Sequence, residues 1–187
     1  MSTTFSIGQM NQMADALELA GFTTEELTNL RNFPQLKDLR RVVNGQAKIV
    51  IVKHVIDLDV APYVPNNWEV ESHKKGGQLE WTSEKVQLYL SGEQQGDKLI
   101  KGDKLRKELE TQPVYNANLL DYLLAHPDLI PESWKGKAVF FWGTIYRDSD
   151  GRLYVRDLYW GGDEWAWDYG WLGRAFSSGN PAAVAGK

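Results

Sequence analysis

The sequence predicts an α+β protein: a mainly helical N-terminal two-thirds with a short β-hairpin, followed by a C-terminal three-stranded antiparallel meander. Three observations predict it. Apolar residues recur at helical spacing through residues 6–45 and again through 82–130. A β-branched run, AKIVIVKHVIDLD, interrupts them. From Ala138 onward the apolar period changes to two.

The first helix follows from Ile7, Met10, Ala14 and Leu17, with Gly21 placed as a C-terminal cap. In FTTEEL, Thr23 can cap the next helix and Glu26 can reach back to it. Phe22 and Leu27 flank that box as a hydrophobic staple. A third helix opens at Pro34 and stops at Asn44-Gly45. The β-branched run predicts a strand over 48–59, and WEVESH a second, so the two form a hairpin across the proline loop APYVPNN. Thr82 or Ser83 can cap a helix carrying Val86, Tyr89 and Leu90. Asp103 can cap another, and Asn116 a third, ANLLDYLLAH, which stops before Pro127. AVFFWGTIY, RLYVRDLYW and WAWDYGWL are the meander, joined by the turns RDSDG and GGDE. Domain boundaries follow: a helical N-terminal segment over 1–45, an α+β domain over 46–176, and a flexible tail over 177–187, whose residues are small and polar.

The formal net charge of −4 over 187 residues provides no whole-protein basic field for nucleic acid. Without Cys, disulfides, thiolate metal sites and Cys nucleophiles are excluded. The start, MSTTFSIGQMNQ, has no signal-peptide pattern, and the apolar runs are too short to span a membrane, so a cytoplasmic location is expected.

The densest aromatic stretch is YWGGDEWAWDYGWLG. Strand alternation points Trp165, Trp167, Tyr169 and Trp171 one way, with Trp160 at the end of the preceding strand. Such a stripe either fills a core or forms a platform for sugar rings, bases or a peptide. Core is the expectation, with at least two of Trp165, Trp167 and Trp171 buried and Trp167 foremost.

Asp57 and Asp59 share a face of the first predicted strand, and Glu69, Glu71 and His73 share a face of the second. A hairpin would bring the five together, a ligand set suited to a divalent metal and metal-assisted hydrolysis. A solvated polar face is the simpler reading. Lys37, Arg40, Arg41, Lys48 and Lys53 bias the N-terminal third toward basic, which admits a nucleic-acid reader or, more simply, a solvated helix face. His54 reads as a hydrogen-bonded structural residue. DSDG at 148–151 is a fragment of a calcium loop but lacks its closing Glu, so it reads as a turn. No phosphate loop, dinucleotide fingerprint, nucleophile elbow or zinc-protease pattern occurs.

The stretch VYNANLLDYLLAHPDLIPESWKGKAVFFWGTIYRDSDGRLYVRDLYW, with WEVESHKKGG and NPAAV, resembles a family of small uncharacterised bacterial proteins. That resemblance implies a bacterial, cytoplasmic protein and assigns no functional residue. The sequence is read as a non-catalytic binding or interaction protein without a cofactor. Its candidate partners are protein or nucleic acid, and not a membrane. A metal-dependent hydrolase and a nucleic-acid binder are the alternatives.

Overall fold

The structure, a computed structural model, describes residues 4–34 and 36–186. Two compact units divide the chain, one over 1–52 and one over 53–187.

The first unit holds α1 (Ile7–Leu19), α2 (Thr24–Leu30) and α3 (Leu36–Val43). Ser6 and Gln9 form a capping box at the start of α1, and Thr23 and Glu26 form the predicted one at α2. Gly21 and Gly45 take the positive φ that ends α1 and α3. No residue of the three helices is buried. Phe22, Leu30, Phe33 and Leu39 instead line an open apolar hollow of about 360 Å³.

The second unit corrects the predicted fold class. Among the described residues its centre is a six-stranded mixed sheet, not a three-stranded meander, and five helices are spread through the whole chain. The strands are β1 (Val55–Asp57), β2 (Glu69–His73), β3 (Gln78–Glu80), β4 (Val86–Tyr89), β5 (Ile100–Lys101), β6 (Ala138–Arg147), β7 (Leu153–Trp160), β8 (Trp165–Trp171), β9 (Ala175–Phe176) and β10 (Ala182–Ala185). The large sheet runs β4-β10-β6-β7-β8, and β2 also pairs with β6. Two helices, α4 (Gly102–Leu109) and α5 (Ala117–Ala125), complete the unit.

Four differences from the sequence reading have physical causes. The predicted strand over 48–59 shrinks to β1, because a strand needs a hydrogen-bonded partner and Ile49 to Val52 have none among the described residues. The predicted hairpin does not form: β1 pairs with β3 and β2 with β6, each antiparallel. The predicted helix near Val86 is one 3-10 turn followed by β4. The segment expected to fray supplies β10, whose small residues Ala182 and Ala183 are buried between β4 and β6.

Both faces of this sheet are covered, which explains its unbroken apolar strands. Val139, Phe141 and Leu158 pack with Leu119, Leu120 and Leu123 of α5. On the other face Phe140, Trp142, Ile145 and Val155 pack with Leu105 and Leu109 of α4 and with Phe176. The β6–β7 register shifts between Phe140 and Ile145. Inside that break Gly143 donates to Tyr115 O at 2.8 Å and accepts from Lys74 N at 2.7 Å. A Cβ there would come within 2.8 Å of the backbone of Tyr115 and Asn116.

Gly143→Ala should therefore lower stability by at least the roughly 1–3 kcal/mol of ordinary overpacking, because the atoms in the way are backbone; a urea midpoint equal to that of the unaltered chain contradicts this contact. In the first unit, Thr23→Ala should lower the denaturant midpoint of the helical circular dichroism signal, by about 1 kcal/mol. An unchanged midpoint would show that the cap contributes nothing.

Candidate functional site

The site is built on the β7–β8 pair. Tyr154 lies opposite Trp171, Arg156 opposite Tyr169, Leu158 opposite Trp167 and Trp160 opposite Trp165, so these residues share one face. Leu172 N donates to Leu153 O at 2.9 Å. By alternation, the odd-numbered residues of β8 turn their backbone N–H and C=O away from β7, toward the open edge of the sheet. Tyr169 N accordingly bonds not to β7 but to the Asp168 carboxylate at 2.7 Å.

Exposure along the stripe overturns the expectation of a core. Trp167 is 39% exposed and Trp171 is 46% exposed. Trp165 is half-buried against the α5-side core, with its ring 5.4 Å from that of Trp160. Trp167, foremost in the expectation, fails because β8 is the sheet's last strand, so no strand among the described residues pairs with its outer side. Lys135 Nζ stands 4.0 Å over the Trp160 ring. Trp160 and Trp165 border an open hollow of about 450 Å³.

Beneath the exposed indoles lies Arg156, only 2% exposed. Its guanidinium stacks 4.3 Å from the Trp167 ring centre and lies 6.0 Å from the rings of Tyr169 and Tyr63. Nη1 is 2.7 Å from Oδ1 of Asp121 on α5. The contact is a close ion pair between β7 and α5. Among the described residues no hydrogen bond of good geometry reaches Arg156 Nε or the buried Tyr169 hydroxyl, while the buried Tyr146 hydroxyl lies close enough to Arg156 to feel its charge. A buried donor left unmade costs about 1–3 kcal/mol. Trp68 closes the cluster, with its ring 4.7 Å from Tyr154 and from Tyr169. Burial pushes the Asp121 carboxyl above the usual carboxylate range, while the Arg156 charge opposes that rise. Burial likewise raises the Tyr146 and Tyr169 hydroxyls, again against Arg156.

The opposite face carries a buried carboxyl. Asp157 is 4% exposed, lies opposite Phe140 on β6 and opposite Asp168 on β8, and so faces a like charge. Desolvation lifts its pKa to about 7; nearby Arg174 works against this and Asp168 adds to it.

The five residues of the metal reading do not converge. Among the described residues no group of three or more His, Cys, Asp or Glu could hold an ion. Asp59 Oδ1 accepts from the amides of Gly76 and Gly77, and Asp57 Oδ1 accepts from Asp59 N. The β2–β6 register slips between Val70 and Ser72. That bulge places Glu69 opposite Arg147 but His73 opposite Thr144, on the other face. Glu69 and Glu71 pair with Arg147, while His73 Nδ1 bonds the Thr144 hydroxyl at 2.8 Å. Of the nucleic-acid candidates, Lys37, Arg40 and Arg41 lie in the first unit near or on α3, Lys48 lies in the extended stretch after it, and Lys53 falls in the second unit, paired with Glu80 at 3.1 Å. His54 bonds the Tyr122 hydroxyl at 2.9 Å. The DSDG segment is a turn, with Asp148 Oδ1 accepting from Asp150 N and Arg152 N.

No family model, curated protein or solved structure matches the chain. No helix among the described residues is long and apolar enough to cross a membrane.

Sequence reasoning missed Arg156, Asp121, Tyr146, Tyr63 and Trp68. One signal was available: an Arg in the middle of LYVRDLYW, on a face with aromatic neighbours, must be stacked or paired if that face is covered.

The raised Asp157 pKa sets a pH dependence. Its folded value, about 7, exceeds the unfolded one, roughly 3.9. The folded state therefore binds the proton more tightly, and stability falls as pH rises across that window. Asp157→Asn should flatten this fall and leave the protein at least as stable at pH 8; thermal melts from pH 4 to 8 that stay parallel for the two proteins refute the assignment.

Proposed function

We propose that this chain is a non-catalytic binding protein whose β8 edge takes up an extended peptide as an added strand. The observation that carries the reading is the open edge itself: Trp167 and Trp171 are exposed on the terminal strand of the sheet. The outward N–H and C=O groups of Trp165 and Trp167 supply the hydrogen-bonding template that strand addition uses, which ends at Trp171, whose carbonyl already accepts from Arg174 N at 3.1 Å; the exposed indoles offer contact for alternate side chains.

Charge selects the kind of peptide. Between Gly161 and Leu172 the chain carries Asp163, Glu164 and Asp168 and no Lys or Arg. This favours a peptide with basic residues toward Asp168 and apolar ones toward the indoles. It disfavours a polyanion such as nucleic acid on this surface. A second copy of the chain carries the same acids and a net charge of −4, so self-pairing meets repulsion.

Peptides of eight residues that alternate Lys or Arg with apolar residues provide the test, read by fluorescence anisotropy. Their acidic and proline-broken counterparts should not bind. Trp167→Ala and Trp171→Ala should each weaken binding by about 2 kcal/mol, as truncation of an aromatic anchor does. Each should cost less stability than the roughly 3–5 kcal/mol of a core Trp. Absence of binding by every basic peptide, or binding that survives both substitutions, overturns the reading. So does a concentration-dependent dimer that Trp167→Lys abolishes, which would make a second copy the occupant.

A further inference from the structure

We propose that the first unit, residues 1–52, is a self-association surface whose occupant is the same unit of a second copy of the chain. α1 of one protomer lies antiparallel along α3 of its partner, and two-fold symmetry repeats the pair. This proposal is independent of the strand-addition reading, which concerns the second unit.

The first observation is apolar surface without a cover. No residue of α1, α2 or α3 is buried. Of the 21 large apolar side chains left exposed among the described residues, 14 fall within 1–52, so the surface in need of a partner belongs to this unit. A unit this small gains little from its own core, and apolar area of this extent marks an interaction surface.

The second observation is that two helices carry matching faces. Met10, Met13 and Leu17 of α1, and Leu36, Leu39 and Val43 of α3, recur at i, i+3 and i+7, so each helix presents one apolar stripe. Met13 is 60% exposed and Val43 is 84% exposed. Leu39 also borders the hollow of about 360 Å³ that Phe22, Leu30 and Phe33 line. Methionine is unbranched and adaptable, so Met10 or Met13 of the partner suits that space.

The third observation, charge, selects a second copy. The unit carries five acids, four of them between Asp15 and Glu26, and five bases, all between Arg31 and Lys48. It is therefore neutral, and the net charge of −4 lies on the rest of the chain. Two such units meet without net repulsion, whereas a polyanion drawn to the bases would be opposed by the acids. None of the ten charges forms an ion pair among the described residues. Their placement is also complementary. Glu18 adjoins the α1 stripe, with Asp15 one turn back on the same flank; Arg40 adjoins the α3 stripe, with Lys37 one turn back on the same flank. Antiparallel packing sets equal flanks of two helices against each other, so acid meets base. An isologous dimer makes both pairings at once, because what one protomer offers the other receives.

Sedimentation equilibrium of the full chain over a range of concentrations tests this. The expected result is a reversible dimer. Met13→Asp should weaken it roughly tenfold or more, as loss of an interface anchor does, with the helical circular dichroism unchanged because Met13 is exposed. Two charge-reversed chains give the decisive arm, Asp15→Lys with Glu18→Lys, and Lys37→Glu with Arg40→Glu. Each alone should be monomeric, since like charges then face each other, and their mixture should form a heterodimer. A chain that stays monomeric at every concentration overturns the proposal, and so does a mixture that does not associate. A monomer whose Tm falls on Met13→Asp overturns it in favour of the chain's own second unit as the cover. A dimer that Trp167→Lys abolishes and Met13→Asp leaves intact overturns both this proposal and the strand-addition reading. Failure of every basic peptide to bind removes that reading alone, because the dimer is read without peptide and on different residues.

Discussion

The fold depends on burying β6 on both faces at once. Val139 and Phe141 enter the core beside α5, while Phe140 and Trp142 enter the core beside α4. Strict alternation would continue that pattern, but the register breaks at Gly143, where the backbone meets Tyr115 and Asn116 too closely for a side chain. The break turns Thr144 to the α5 end. Its hydroxyl accepts from Ala117 N at 3.0 Å and meets His73 Nδ1. Asn116 holds the same junction: its side-chain amide donates to Leu58 O at 2.7 Å and to Lys74 O at 2.9 Å. With the first residue of α5 pinned, Asp121 falls four residues on, about one turn, on the same side of the helix. That turn is what sets Asp121 against Arg156. The candidate site is thus a consequence of how the central strand is accommodated.

Arg156 and Asp157 are consecutive, and alternation sends them to opposite faces of β7, where both are buried. They solve the same physical problem in opposite ways. A guanidinium cannot shed its charge, so it needs partners: the Trp167 face and the Asp121 carboxylate. A carboxyl can instead take up a proton, and Asp157 does so increasingly below a pKa of about 7. The charge that must persist is therefore the one held against Trp167 and Asp121, and the charge that can vanish is the one opposite Phe140.

Much of the local structure was legible in the sequence, because it depends on contacts within a few residues. The Thr23–Glu26 box, the Asn116 cap, the DSDG turn and the bounds of β7 and β8 are all of this kind. What was not legible depends on partners far along the chain. Val86 and Tyr89 form a strand only because Ala182 to Ala185, almost a hundred residues later, pair with them. His73 leaves the face of Glu69 only because a bulge at Glu71 intervenes, and nothing in WEVESH announces a bulge. For the aromatic stripe, the sequence assigned the shared face correctly and not its exposure. Exposure depends on strand order, and no local pattern says that β8 comes last.

An aromatic edge strand is a hazard as well as an opportunity, since unpaired amides invite pairing with any chain. Natural edges are blunted by Pro, Lys or bulges, and β8 has none of these. It carries Asp168, whose carboxylate bonds the outward amide of Tyr169, with Asp163 and Glu164 at the turn. One carboxylate thus occupies a donor that an incoming strand would need, and all three repel acidic or like-charged chains. A basic peptide meets the reverse conditions: its cation draws Asp168 away from the Tyr169 amide and frees that donor for pairing. The same group that guards the edge against indiscriminate association would then open it to a partner of opposite charge.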